Sequence, residues 1–127
     1  MIVKATANGL RISSRKMGLI ASLVRNRTVA DAEVILDHTP KKGAKQLKKL
    51  LMSAKANALN NHSAKEATLA IANIDVGPGP SMKRYRPAAR GRAITFKRHS
   101  SNVTISLEAE KKQSKPKAKA KAKKETK

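Results

Sequence analysis

The chain has 127 residues and no cysteine, with 29 lysines and arginines against 8 acids, for a formal net charge of +21. The missing cysteines exclude a disulfide framework and thiolate metal sites, and no apolar run is long enough to span a bilayer. Positive charges at this density repel one another unless a polyanion neutralises them. The charge therefore indicates a nucleic-acid partner, with an anionic membrane as the competing possibility.

A strand or arm over residues 2–12 and a first helix open the chain. The strand pattern breaks at Asn8-Gly9, and Ser13 or Ser14 offers a capping hydroxyl for the helix. The apolar face of this helix follows spacings of three and four, at Met17, Ile20, Ala21 and Val24. Because the N-terminus lacks the apolar core of a signal peptide, we expect a cytoplasmic protein.

A second, shorter helix is predicted after Thr28, whose hydroxyl caps it with Asp31 placed three residues on. Its buried side comprises Val29, Ala32, Ile35 and Leu36. Acids on so short an amphipathic helix are expected to be solvated rather than to form a catalytic dyad.

A third, longer helix is predicted from roughly residue 41 to residue 61. Thr39-Pro40 supplies a capping hydroxyl and then proline at the first helical position. The apolar stripe of this helix comprises Ala44, Leu47, Leu51, Ala54 and Ala58. The opposite side carries Lys41, Lys45, Lys48 and Lys55. These lysines could form either a solvated face or an anion-binding face, and the sequence does not decide between the two.

After the helices the period changes to two, which predicts strands. Ala70, Ala72, Ile74 and Val76 alternate with Leu69, Ile71, Asn73 and Asp75, and a second alternation places Val103, Ile105 and Leu107 on one side. We therefore predict an α+β fold: a small three-stranded antiparallel sheet packed with three helices, plus a long extended β-hairpin over 76–107.

The segment GPSMKRYRPAARGRA, residues 79–93, is basic and contains no acid. No acid occurs between residues 75 and 108, where seven cations lie: Lys83, Arg84, Arg86, Arg90, Arg92, Lys97 and Arg98. Pro80, Pro87 and Gly91 favour a defined arm over free disorder. We expect an arm that becomes ordered against nucleic acid, with arginine forks on phosphate.

Catalytic motifs are absent from the sequence. None of the three histidines forms a ligand-spaced pair, and there is neither a phosphate-binding glycine loop nor a nucleophile motif. We therefore predict that the protein is not an enzyme and has no catalytic residue, metal or cofactor.

Residues 1–110 are expected to form the domain, and 111–127 a disordered Lys/Ala-rich tail. The tail holds nine lysines and one glutamate, a net +8, which leaves +13 on the domain. Alternating lysine and alanine cannot build a core, so the tail should add salt-sensitive, nonspecific affinity for a polyanion.

Three motifs occur in order along the chain. RISSRKMGLIASLVR carries Ser13 and Lys16, SAKANALNN carries Asn57 and Asn61, and the basic segment leads into KRHSSNVTI. Together, over roughly residues 5–107, they resemble the large-subunit ribosomal protein twenty-two family.

The resemblance implies a structural component of the large ribosomal subunit that binds rRNA and aids subunit assembly. Its domain would lie on the outer surface of the large subunit, near the nascent-chain exit. Its hairpin would enter the subunit, with a tip at about 82–93 that lines the peptide exit tunnel. The implied partners are several rRNA domains, neighbouring large-subunit proteins and the nascent polypeptide in transit, and we expect no membrane association and no homo-oligomer.

The residues expected to contact rRNA are Arg11, Ser13, Arg15, Lys16, Lys41, Lys45, Lys48, Asn57, Asn61, Lys83, Arg84, Arg86, Arg90, Arg92, Lys97 and Arg98. Those expected to line the tunnel are Met82, Lys83, Arg84, Tyr85, Arg86, Pro87, Ala88, Ala89, Arg90 and Gly91. Two positions depart from the family pattern: Ala88 stands where arginine is common, and Gly18 where a larger, often basic residue is usual.

Two other classes of protein are compatible with the charge. A DNA architectural protein uses β-arms with a proline near the tip, which Pro87 and the basic tail would suit. A membrane-active domain needs a basic helix with bulky apolar residues, which the alanine-rich stripe of the third helix supplies poorly.

Overall fold

The computed structural model describes residues 1–62, 64 and 66–108, so the predicted tail over 111–127 lies outside the described residues. Two 3-10 turns, Glu66–Thr68 and Ala89–Gly91, accompany the main elements. These main elements are β1 (Ile2–Leu10), α1 (Ser14–Val24), α2 (Val29–His38), α3 (Lys42–His62), β2 (Ala70–Pro78), β3 (Met82–Pro87), β4 (Ala93–Arg98) and β5 (Ser101–Glu108).

The body of the molecule is a three-stranded antiparallel sheet in the order β1-β5-β2, packed against the three helices. In its core, inward residues of the central strand β5, such as Val103 and Ile105, pack with the predicted apolar faces of the helices, which include Met17 and Leu47. The predicted α+β architecture is therefore confirmed. The predicted break in β1 is confirmed too, because pairing with β5 shifts between Ala7 and Leu10.

The simple alternation predicted for β2 is wrong. It placed Ile71 and Ile74 on opposite faces, yet both are buried in the core. The ladder with β5 shifts between Ile71 and Asn73, so that Ala72 is an extra residue on its strand. A β-bulge of this kind restores the inward direction of the next apolar side chain.

Of the three predicted helix caps, two lie at helix starts. Thr28 caps α2, and its Oγ1 accepts a bond from the Asp31 amide at 3.2 Å. Ser13 occupies the N-cap of α1 but makes no side-chain capping bond. The Thr39-Pro40 start is wrong: the Thr39 hydroxyl donates to the Ile35 carbonyl at 2.6 Å, so it closes α2 instead.

Two lysines of α3 are held by carboxylates within the body, which is neither of the two roles that the sequence left open for them. Lys48 Nζ lies 2.6 Å from a carboxylate oxygen of Asp37. Lys55 Nζ lies 3.1 Å from Glu33 and 2.6 Å from Glu66. Hydrogen bonds to Glu66 and then Glu33 raise the pKa of Lys55 above its usual value, against the opposing effect of burial. These pairs join α3 to the acids of α2 and to the turn before β2.

The long hairpin over 76–107 consists of two separate ladders. The β2–β5 ladder ends where Pro78 pairs with Ser101, and the β3–β4 ladder begins where Met82 pairs with Arg98. At the break between them the Gly79 amide donates to the Ser100 carbonyl at 2.9 Å. We call residues 82–98, the distal ladder with its turn, the arm.

Candidate nucleic-acid interface

The register of the arm divides its side chains between two faces. Residues paired directly across an antiparallel ladder share a face, and successive residues along a strand alternate. One face therefore carries Met82, Arg84, Arg86, Ile94, Phe96 and Arg98, and the other carries Lys83, Tyr85, Pro87, Ala93, Thr95 and Lys97. Phe96 is half-buried, and the other eleven of these twelve residues are exposed.

Phe96 organises the arginines on the first face. The guanidinium carbon of Arg86 lies 5.5 Å from the ring centroid, and that of Arg98 lies 5.7 Å from it. Arg84 is paired with Phe96 across the ladder, and its guanidinium donates to the Lys83 carbonyl at 2.8 Å and to the Met82 sulfur at 3.4 Å. The predicted site residues Arg84, Arg86 and Arg98 are thus brought together around one ring.

The end of the arm is a tight turn. The Ala88 amide donates to the Arg92 carbonyl at 2.8 Å, and between them Arg90 and Gly91 both have positive φ, at 58° and 68°. Glycine accepts this left-handed conformation readily, whereas arginine adopts it at a cost of about 1–2 kcal/mol. The predicted tip at about 82–93 therefore comprises this short turn and the strand β3.

The arm has no acidic neighbours to neutralise it. All three ion pairs among the described residues involve Lys48 or Lys55 of α3. The seven cations of the arm thus lie beyond ion-pair distance of any carboxylate in the described part of the chain. Such a ribbon attracts polyanions, and its charge remains available for phosphate contacts.

Among the predicted body residues, Arg11 lies beside the base of the arm, where it lines a common groove with Pro80 and Ser100. Arg11 follows β1, while Arg15 and Lys16 are exposed in the first turn of α1 beside Ser13. The start of α3, with exposed Lys41 and Lys45, adjoins this region. A β-carbon added at Gly43 would lie 3.3 Å from the Ile12 side chain and 3.5 Å from that of Met17.

Asn57 and Asn61 are separated from these groups. They lie in the C-terminal part of α3, and a rise of 1.5 Å per residue places Asn57 roughly 22 Å along the helix from Lys42. Asn57 and Asn61 therefore lie toward the opposite end of α3 from Lys41 and Lys45.

A groove of about 620 Å³ separates the body from the arm. Its basic lining includes the predicted residues Arg11, Arg84 and Arg98, and also Lys42 and His99, which sequence reasoning did not select. The sequence signal for these two was only their basic character, because nothing in the periodicity places α3 beside the arm.

Residues 1–62, 64 and 66–108 contain no group of three histidine, aspartate or glutamate side chains placed to hold a metal ion. Within the same ranges, no helix has the length and apolar character needed to cross a membrane. The stripe of α3 is buried inside the body, including Ala44, Leu47 and Leu51, so it offers no apolar face to lipid.

A small α+β body with a cationic β-arm is typical of proteins that associate with polyanions. Comparison with known proteins is more specific, since the model of the ribosomal protein L22p/L17e family matches residues 5–108. The chain is 45% identical to large ribosomal subunit protein uL22 of Clostridioides difficile over 105 residues, covering 83% of this chain and 95% of the relative. It is 47% identical to the same-named protein of Syntrophobacter fumaroxidans over 107 residues, covering 84% and 97%.

The chain belongs to the ribosomal protein L22p/L17e family. It is accordingly a structural, non-enzymatic protein of the large ribosomal subunit, located with the ribosome in the cytoplasm. This membership decides against the DNA architectural and membrane-active alternatives.

Proposed function

We propose that the protein binds large-subunit rRNA through the arm and the adjoining basic residues of the body, and thereby aids subunit assembly. The observation that carries this proposal is the arm itself, in which seven cations have no carboxylate partner among the described residues. In the body, we propose further contacts from the exposed residues Arg11, Arg15, Lys16, Lys41 and Lys45. Lys48 is the least available of the proposed contacts because Asp37 already holds its ammonium group.

The chemistry favours folded RNA recognised by shape. Arginine forks bind phosphate oxygens in pairs, and such contacts fix position without reading sequence. Double-helical RNA is recognised mainly through its backbone and 2′-hydroxyls, whereas single strands are usually bound by stacking on several aromatic side chains. This chain has only Tyr85 and Phe96 as aromatics, and the arm holds Phe96 against its own arginines.

The arm has a suitable form for a probe that enters an RNA assembly. Two strands of six residues extend it by roughly 20 Å beyond the body, at about 3.3 Å per residue. We propose that the turn from Ala88 to Arg92, together with β3, lines the peptide exit tunnel beside the nascent polypeptide. This part of the proposal is supported by the family resemblance, which also implies neighbouring large-subunit proteins as partners.

Sedimentation of a host lysate with magnesium tests the assignment. We expect the protein to co-migrate stoichiometrically with the large subunit. This association should persist in a salt wash that removes nonspecifically bound basic proteins. Release as free protein at mild salt would contradict rRNA binding.

A photo-crosslinker tests the tunnel-lining part separately. Placed at exposed Ala89 in the turn, it should capture a radiolabelled nascent chain on translating ribosomes. The same crosslinker at Lys49, exposed on α3 of the body, serves as the control and should capture none. Equal yields at the two positions would contradict a tunnel position for the turn.

A further inference from the structure

The groove between the body and the arm has a composition of its own. On the body side it is bounded by Arg11, which follows β1, and by Lys42, the first residue of α3. On the arm side it is bounded by Met82, Phe96 and Arg98. At about 620 Å³ it falls within the range of small-molecule sites, about 300–1,000 Å³, and it far exceeds the size of a single phosphate group.

The charge of the lining requires an anionic occupant. Arg11, Lys42, Arg84 and Arg98 contribute four cations, His99 adds an imidazole, and no carboxylate of the described residues lines the groove. None of the four cations forms an ion pair with a described residue. An uncharged or cationic ligand would leave this field uncompensated, whereas a phosphate diester matches it.

The arm side of the groove adds a surface for a flat apolar group. Met82 is 57% exposed although its thioether lies beside the arginines. The Phe96 ring supports the guanidinium plane of Arg98. A guanidinium plane and an aromatic ring are the surfaces on which unstacked RNA bases are held, and a phosphate alone would leave them uncovered.

We propose that this groove receives one unstacked nucleotide of RNA, with its phosphate on Arg11 and Lys42 and its base against Met82 and the Arg98–Phe96 pair. The inference rests on the proposed rRNA binding and adds a specific subsite to it. It also assigns a role to Lys42, which would join the body and the arm through a shared ligand.

Base-specific chemical probing of large-subunit RNA reconstituted with the full-length protein provides the test. With wild-type protein, one unpaired nucleotide should be protected from modification. Lys42→Gln should return its reactivity toward the level of protein-free RNA. Lys49→Gln is the matched control, because it removes the same charge from the same helix two turns away, at an exposed lysine outside the groove.

Met82→Ala separates base contact from phosphate contact, since it leaves the net charge unchanged. It should expose the same nucleotide while the salt dependence of binding stays at the wild-type value. If Lys42→Gln and Met82→Ala both leave the nucleotide as well protected as Lys49→Gln does, the groove proposal is overturned and rRNA binding stands. Reactivity changes spread along a paired RNA helix would also overturn it, in favour of backbone contact. If wild-type protein protects no large-subunit RNA, the groove proposal and the proposed function both fail.

Discussion

The guanidinium of Arg86 lies over the ring of Phe96, with 5.5 Å between the guanidinium carbon and the ring centroid. Arg98 approaches the same ring at 5.7 Å, so the ring restricts two arginines that would otherwise be free in solvent. An arginine held near its bound position loses less side-chain entropy when it contacts phosphate. Phe96 is therefore an organiser of cations in the arm, which explains why an aromatic residue lies in a segment that contributes nothing to the core.

Replacing Phe96 with leucine should weaken RNA binding although no charge is lost. A cation–π contact at an exposed site is worth about 0.5–1 kcal/mol, so we expect a decrease in affinity of about two- to five-fold for each contact that binding requires. Filter binding to large-subunit RNA at fixed salt measures this effect. Val34→Ala is the control, because it changes an exposed apolar side chain on α2, which carries none of the proposed contacts. Equal losses for the two variants would contradict an organising role.

Gly18→Ala should stabilise the protein. Gly18 lies inside α1, and a β-carbon there would meet nothing within 4 Å. Glycine in a helix interior costs roughly 0.5–1 kcal/mol relative to alanine, so the free energy of unfolding in urea should rise by about that amount.

Gly43→Ala provides a matched comparison for this prediction. It makes the same chemical change in α3, but its β-carbon would lie 2.6 Å from the Cδ1 atom of Ile20. That side chain must then move within the core, which offsets the gain in helix propensity. An equal increase in stability for Gly18→Ala and Gly43→Ala would show that the packing around Gly43 has no energetic consequence.

Lys55→Met should lower the stability at neutral pH and change its pH dependence. Lys55 joins Glu33 and Glu66, and because this cluster is partly exposed we expect a cost of about 1 kcal/mol, decreasing with added salt. The pKa of Lys55 is raised in the folded state above its ordinary 10.5. The stabilisation is therefore complete below about pH 10.5 and is lost as the pH rises through the folded-state pKa. Urea unfolding should show a difference from wild type at pH 7 that becomes smaller at pH 11.

Lys45→Met is the control for the ion cluster. Lys45 is an exposed lysine of the same helix, and it forms no ion pair with the described residues. It should leave stability within about 0.5 kcal/mol of wild type at both pH values. A pH-dependent loss in Lys45→Met equal to that in Lys55→Met would contradict the assignment.

Much of the body could be predicted because its signals are local. Apolar spacing of three and four identified the buried faces of α1 and α3, and the Thr28 hydroxyl marked the start of α2. The bulge at Ala72 could not be predicted, because it depends on which residues of β5 oppose the strand. Thr39 was assigned to the wrong helix end because its hydroxyl can bond either a free amide or the Ile35 carbonyl.

The candidate site could be predicted only in part for a related reason. A run of cations without acids is visible in the sequence, so the arm residues were found there. Neither Lys42 nor His99 was selected, because their proximity to Arg11 arises from the packing of α3 against β1 and from the break between the two ladders. The ion pair between Lys48 and Asp37 is likewise a tertiary contact, eleven residues apart in the chain.

Neutralising Arg84, Arg90 and Arg92 together with glutamine should weaken rRNA binding and flatten its salt dependence. Each phosphate contact contributes about 0.7–0.9 to the slope of log K against log salt, so three lost contacts should reduce that slope by about two to three. Binding to large-subunit RNA between about 50 and 200 mM salt measures it. Lys49→Gln is the control, since this exposed lysine of α3 is not among the proposed contacts, and its slope should match wild type. An unchanged slope in the triple variant would mean that these three arginines do not contact phosphate.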